Sequence, residues 1–246
     1  LEAEKEWYTS QGGIIEAALR HLKTQTEYEI IGYAITDNGE QLSNIYSATT
    51  TDKMALPNSG FEEWSYSDSV YYPYLDIQNS WWGTGNPASK VAGINLTTPL
   101  KEGLAEGKTG TCAQLWSQKA SVMGIGKFAA GNLFTGSFDR IVGTHGLVAF
   151  GRKFDLRPTA LRGWVKYNRG IIDNCPSGTN PKIPGIGSPD RGSIYIALGD
   201  WDYNVYGGNP ESPVLVDARD ESTFFNPSDA GIIAYGELIF NESCDW

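Results

Sequence analysis

Cysteine and histidine are scarce in this 246-residue chain, which holds three Cys and two His. Cys112, Cys175 and Cys244 form no CxxC pair and no HExxH occurs, which argues against a zinc site of the usual ligand spacing. The odd cysteine count also speaks against a complete disulfide framework. No charge-free stretch, Phe128 to Phe138 included, approaches the roughly 18 apolar residues of a membrane-spanning helix. The chain is therefore expected to be soluble and without a transmembrane segment. No basic segment followed by an apolar stretch opens it, so any secretory signal has been removed or was never present. Positive charge is in deficit: 19 Lys and Arg against 29 Asp and Glu leave a net charge of −10. Such a chain repels a phosphate backbone, which argues against nucleic acid as a partner.

What is abundant is glycine and aromatic surface. The 29 Gly stand well above the usual ~7%, and eight Trp and thirteen Tyr accompany them. That mixture predicts many short strands joined by tight turns. The first 53 residues carry nine acidic and four basic side chains, half of the net charge, and place a domain boundary near Lys53. Within 1–53, Ile15, Ala17 and Leu19 alternate with Glu16, Ala18 and Arg20. Residues 28–35 alternate likewise, and Asp37-Asn38-Gly39 supplies hairpin turn chemistry.

From 54 to 246 the pattern is again that of strands. In PTALRGWVKYN, Arg162, Trp164, Lys166 and Asn168 share one face. In GSIYIALGDW, Ile194, Ile196 and Leu198 oppose Tyr195, Ala197 and Trp201. In GIIAYGELIF, Ile232, Ala234, Leu238 and Phe240 oppose Ile233, Tyr235, Glu237 and Ile239. No helical period runs beyond two turns. The reading is all-β, an antiparallel sandwich of jelly-roll type, with long loops expected at 68–88, 117–140, 170–191 and 202–213.

Exposed aromatics are the strongest functional signal, because the apolar C–H face of a sugar ring stacks on an indole while its hydroxyls need directional partners. Trp81 and Trp82 sit in a loop rich in Tyr and Asn; adjacent residues point opposite ways, so one ring is expected in the core and the other available. The sugar-binding candidates are Trp81, Trp82, Asn86, Arg162, Trp164, Lys166, Tyr195, Trp201 and Glu237, on the expectation that the 158–168 strand lies beside 193–201. Glycoside hydrolysis needs two carboxylates about 5 to 9.5 Å apart; Glu62, Glu63, Asp139, Asp200, Asp202 and Glu237 are the candidates. His145 reads as a structural histidine. Calcium takes oxygen ligands, available from Glu62 or Glu63 with carbonyls around Asn58 to Gly60, although no DxDxDG loop exists.

Three resemblances follow from these residues. LKTQTEYEIIGYAITDNGEQLSNIYSATT, with Tyr28 placed as a corner tyrosine, resembles the last strands of a fibronectin type III or immunoglobulin-like domain. That likeness implies that 1–53 begins partway through such a sandwich. PNSGFEEW is similar to the opening of galactose-binding-like jelly-roll carbohydrate-binding modules, whose Glu often helps hold a structural calcium. NSWWGTGNPAS, GKFAAGNLFTGSF, HGLVAFGRKFDLRPTALRGWVKYNRG and DRGSIYIALGDW together look like the putative carbohydrate metabolism domain family of gut Bacteroidetes. This last resemblance implies an immunoglobulin-like domain followed by a jelly roll, secreted or anchored at the cell surface or in the periplasm, outer-membrane anchoring coming through a region N-terminal to this chain. It also implies a role in glycan use, without catalytic residues to carry over. Family members are expected to continue beyond AYGELIF into a segment with paired acids, whereas this chain stops at Cys244-Asp245-Trp246.

Three functions remain open on the residues. One is a non-catalytic protein binding a polysaccharide or oligosaccharide by aromatic stacking. The second is a glycoside hydrolase using a pair of carboxylates. The third is a structural adhesion protein.

Overall fold

The computed structural model describes residues 8–11, 14–17, 19, 22–23, 25–50, 56–122, 125–154, 156, 158, 160–174 and 185–246. They are predominantly strand with two four-residue helices, an all-β chain. Its contacts divide it into two compact units, Leu1–Ala55 and Leu56–Trp246.

In the first unit, β1 (Tyr8–Gln11) pairs antiparallel with β2 (Ile14–Ala17). A longer hairpin follows, made of β3 (Glu27–Ile30), β4 (Tyr33–Thr36), β5 (Gly39–Leu42) and β6 (Tyr46–Thr49). Strand β4 pairs with β5 and β3 with β6. The turn expected at Asp37-Asn38-Gly39 closes it: Gly39 adopts φ +97°, a conformation that costs glycine little. Thr36 Oγ1 accepts from the Asn38 N–H and donates to the Gly39 carbonyl. The single strand expected over 28–35 is interrupted at Gly32, whose N–H donates to Ser43 Oγ at 2.8 Å, so a side chain takes the place of a ladder bond. The Tyr28 hydroxyl accepts from the Lys23 N–H, five residues upstream, at 2.9 Å.

The second unit opens with the hairpin β7 (Ser65–Ser67) and β8 (Val70–Tyr72), then β9 (Trp82–Gly83) and the short helix α1 (Asn86–Ser89). Next come β10 (Thr97–Leu100) paired with β11 (Cys112–Leu115), and β12 (Gln118–Val122) paired with β13 (Ile125–Ala129). Strands therefore occupy much of the loop expected at 117–140. After β14 (Phe134–Val142) and β15 (His145–Phe150), the chain reaches β16 (Gly192–Gly199), helix α2 (Tyr203–Tyr206), β17 (Gly207–Asn209), β18 (Ser212–Asp217) and β19 (Ile232–Phe240).

The largest sheet is antiparallel, in the order β17-β18-β15-β14-β9. Leu147 and Ala149 of β15 are buried with Val70, Leu96 and Ala105. Gly136 of β14 lies at φ +140° against the Ala149 carbonyl, where a Cβ would collide with backbone. Arg152 laces this sheet to its approach, its guanidinium donating to the Ser80 and Gly136 carbonyls and to the Ser212 hydroxyl. β16 and β19 form a separate two-stranded ribbon.

Among the described residues of 158–168 the expected strand is not formed; they make an isolated bridge, Tyr167 with Cys244. Alternation in a sequence assigns faces but not a partner, and the partner of β16 is β19. The 162–168 segment instead meets the C-terminal residues.

Candidate functional site

The Tyr167–Cys244 bridge is closed by two backbone hydrogen bonds of 2.9 and 3.0 Å, and it brings the tail against the Trp164 segment. Lys166 Nζ pairs with Asp245 at 2.8 Å, and that contact, helped by the Trp246 N–H, holds the Asp245 carboxyl below the usual carboxylate range. Trp164 is 65% exposed. The Trp246 indole N–H donates to the Gly103 carbonyl at 2.6 Å, bringing the loop around Lys108 to the same place. Lys108 Nζ stands 5.5 Å from the Trp164 ring centroid, within cation–π range. Glu106, Trp164, Asp245 and Trp246 line an open cleft of about 470 Å³. Two indoles line it together with two carboxylates, an arrangement of apolar platforms and hydrogen-bond acceptors.

A second cluster lies on the β16–β19 ribbon. Its register sets Tyr195 opposite Glu237, Ala197 opposite Tyr235 and Ser193 opposite Ile239. These residues therefore share one face, while Ile194, Ile196, Leu198, Ala234, Leu238 and Phe240 share the other. Tyr195 stacks on Phe225 at 4.6 Å with 19° between planes, and Tyr235 approaches both rings. Burial first and the neighbouring Glu237 second push the Tyr195 hydroxyl above its ordinary pKa. A cleft of about 340 Å³ opens beside it, lined by Asp190, Arg191, Ser193, Glu237 and flanking isoleucines.

The other expected residues are placed differently. Asn86 is fully buried. Its amide donates to the Tyr71 and Thr97 carbonyls and accepts from the Leu96 and Thr97 N–H groups. No bonding capacity is left for a sugar, so Asn86 is a framework residue rather than a ligand contact. Trp81 and Trp82 are both half-buried, not one in the core and one free. Trp82 donates to the Pro57 carbonyl at 2.8 Å and meets Phe61 edge-on, while the Trp81 indole N–H is buried with no hydrogen-bond partner. Trp201 lies against Gly199 and Gly231 and serves as a wedge under the ribbon's irregular end. Arg162 is exposed, on the segment that carries Trp164.

Glu62 accepts from the Thr111 N–H at 2.6 Å and fills the space above Gly110. The backbone of Glu63 is bracketed by Asn58, which accepts from its N–H and donates to its carbonyl. Among the described residues no three of His, Cys, Asp and Glu gather closely enough to hold a metal ion. Asp139 pairs with Arg140, and Asp202 caps α2. Cys112 and Cys244 are free thiols, and Cys175 lies outside the described residues. No helix among the described residues is long and apolar enough to cross a membrane.

Sequence reasoning missed Lys108, Asp245 and Trp246 because their meeting with Trp164 is purely tertiary: Gly103 and Trp246 are 143 positions apart. Tyr235 was visible beside Glu237 in the alternation, but Phe225, which stacks on Tyr195 and leans against Tyr235, belongs to a loop. A family described as "putative carbohydrate metabolism domain" matches residues 60–246. No curated protein and no solved structure matches the chain.

Proposed function

The chain belongs to the putative carbohydrate metabolism domain family, and from that membership and the Trp164 cleft we propose that it is a non-catalytic glycan-binding protein. Sugar rings lie on the indoles of Trp164 and Trp246, and Glu106 and Asp245 accept from ring hydroxyls. The observation that carries this reading is the 65% exposure of Trp164 over a cleft shared with a second indole and two carboxylates. A polysaccharide or oligosaccharide is the ligand, met outside the cytoplasm at the cell surface or in the periplasm.

Hydrolysis has weaker support. Two acids line each cleft, Asp190 and Glu237 in one and Glu106 and Asp245 in the other, but Asp190 is tied to the Tyr167 hydroxyl and Asp245 to Lys166.

Electrophoresis through gels containing soluble polysaccharides tests the proposal. Stacking and burial on one indole contribute a few kcal/mol at most, so Trp164→Ala is expected to weaken retention about tenfold while the urea midpoint stays in place. Unchanged retention removes Trp164 from the site. Retention of neither protein on any glycan favours the adhesion role, and reducing-sugar release abolished by Glu237→Gln favours hydrolysis.

A further inference from the structure

The Trp164 cleft is one-sided in its hydrogen bonding. Its lining residues are Glu106, Trp164, Asp245 and Trp246, and the Trp246 indole N–H is already spent on the Gly103 carbonyl. An ionised carboxylate only accepts. The lining side chains therefore offer acceptors and aromatic faces, with one indole N–H, that of Trp164, left to donate. Lys166 and the Trp246 N–H both reach Asp245 at Oδ1, which leaves Oδ2 for a further donor. Glu106 is placed by a tight turn: the Lys108 N–H donates to the Ala105 carbonyl at 2.9 Å, Gly107 takes φ +70°, and Ala105 is buried. Glu106 itself is exposed and makes no hydrogen bond or ion pair among the described residues.

An ammonium already meets one of the two rings. Lys108 Nζ stands over Trp164, so this indole takes a cation on its face, and because Lys108 is exposed the contact is weak and readily exchanged. Neither Lys108 nor Lys166 lines the cleft. A sugar hydroxyl both donates and accepts, and in a cleft of acceptors half of that capacity goes unanswered. A sugar ammonium only donates, and its hydrogen bonds to carboxylates are charge-assisted. We infer that the ligand of this cleft is a glycan bearing free amino groups, its ammonium met by Glu106 and Asp245 and its ring lying on an indole. The inference rests on the glycan-binding reading of Trp164 and names the class of sugar. A glycan rich in carboxylates is disfavoured at the same place, since it meets two acids in a chain of net charge −10.

Calorimetry with glucosamine oligomers, their N-acetylated counterparts and cello-oligosaccharides of equal length tests this. The amine series is expected to bind about tenfold more tightly than either neutral series. Glu106→Gln keeps the shape and loses the charge; it is expected to weaken the amine series about fivefold and to leave the neutral series within about twofold. Glu221→Gln removes an exposed acid that lines neither cleft, and it is expected to change neither. Trp164→Ala is expected to weaken every series that binds. Neutral glycans binding as tightly as the amine series, a preference untouched by Glu106→Gln, or an equal loss from Glu221→Gln overturns the amino-sugar assignment and leaves the Trp164 site standing. Amine binding untouched by Trp164→Ala places the ligand elsewhere and overturns the assignment to this cleft. Failure of all three series overturns the assignment too, and the glycan-binding reading falls with it when no polysaccharide gel retains the protein.

Discussion

The region around α1 and the ribbon β16–β19 treat their polar and apolar groups in opposite ways. At α1 a polar side chain is fully buried and every bonding position of its amide is occupied by backbone of Tyr71, Leu96 and Thr97. On the ribbon, apolar and aromatic side chains stay in solvent, with Ile194, Tyr195 and Leu238 each 40% exposed or more. A saturated buried amide makes each neighbour depend on it, since an unpaired buried donor or acceptor costs far more than a satisfied one gains. The difference separates the part of the domain whose polar groups are fully committed to one another from a part whose apolar side chains remain in solvent.

Asn86→Ala should break the comparison most severely. It deprives four buried backbone groups of their partner, and a loss of about 3 to 5 kcal/mol in urea unfolding is expected. A loss below 1 kcal/mol would show that water or a neighbour replaces the amide.

The glycines carry the same contrast on a smaller scale. Gly136 lies at φ +140° with Ala149 backbone where a Cβ would go, whereas Gly163, beside Trp164, has nothing within 4 Å. Gly136→Ala is expected to cost about 2 to 4 kcal/mol, and Gly163→Ala to remain within about 0.5 kcal/mol of the parent. Thermal melts of the two variants side by side decide it; similar melting temperatures would contradict the contrast.

The smallest effect is electrostatic. Burial, then the neighbouring Tyr72, pushes the Tyr74 hydroxyl up to about 12, while an unfolded tyrosine ionises near 10. The folded state favours the neutral phenol, so this contribution to stability is whole below pH 10 and is lost as pH rises from about 10 towards 12. Urea midpoints should fall less steeply over that interval for Tyr74→Phe than for the parent. Parallel curves would mean that Tyr74 ionises as freely in the folded protein as in the unfolded one.

Much of this was legible residue by residue. The positive-φ turn at Asp37-Asn38-Gly39 is local. The two faces of β16 and β19 came straight from alternation, and the observed register places Ile194 opposite Leu238 and Tyr195 opposite Glu237, each with a residue of its own face. Asn86 was misread because an Asn among tyrosines and glycines looks the same whether its amide meets water, a sugar or backbone. The PTALRGWVKYN segment was misread because alternation says nothing about whether a second strand is present to pair with it.

By itself the amino-acid order determined the all-β character of the chain and which side chains share a strand face, since both depend on period-two spacing and turn chemistry within a few residues. Only the tertiary structure decided that Trp164 shares a cleft with Trp246 and meets Lys108 rather than Tyr195 and Trp201, and that Asn86 is sealed inside. Those outcomes depend on which distant backbone groups satisfy one another's hydrogen bonds, and no local pattern encodes that choice.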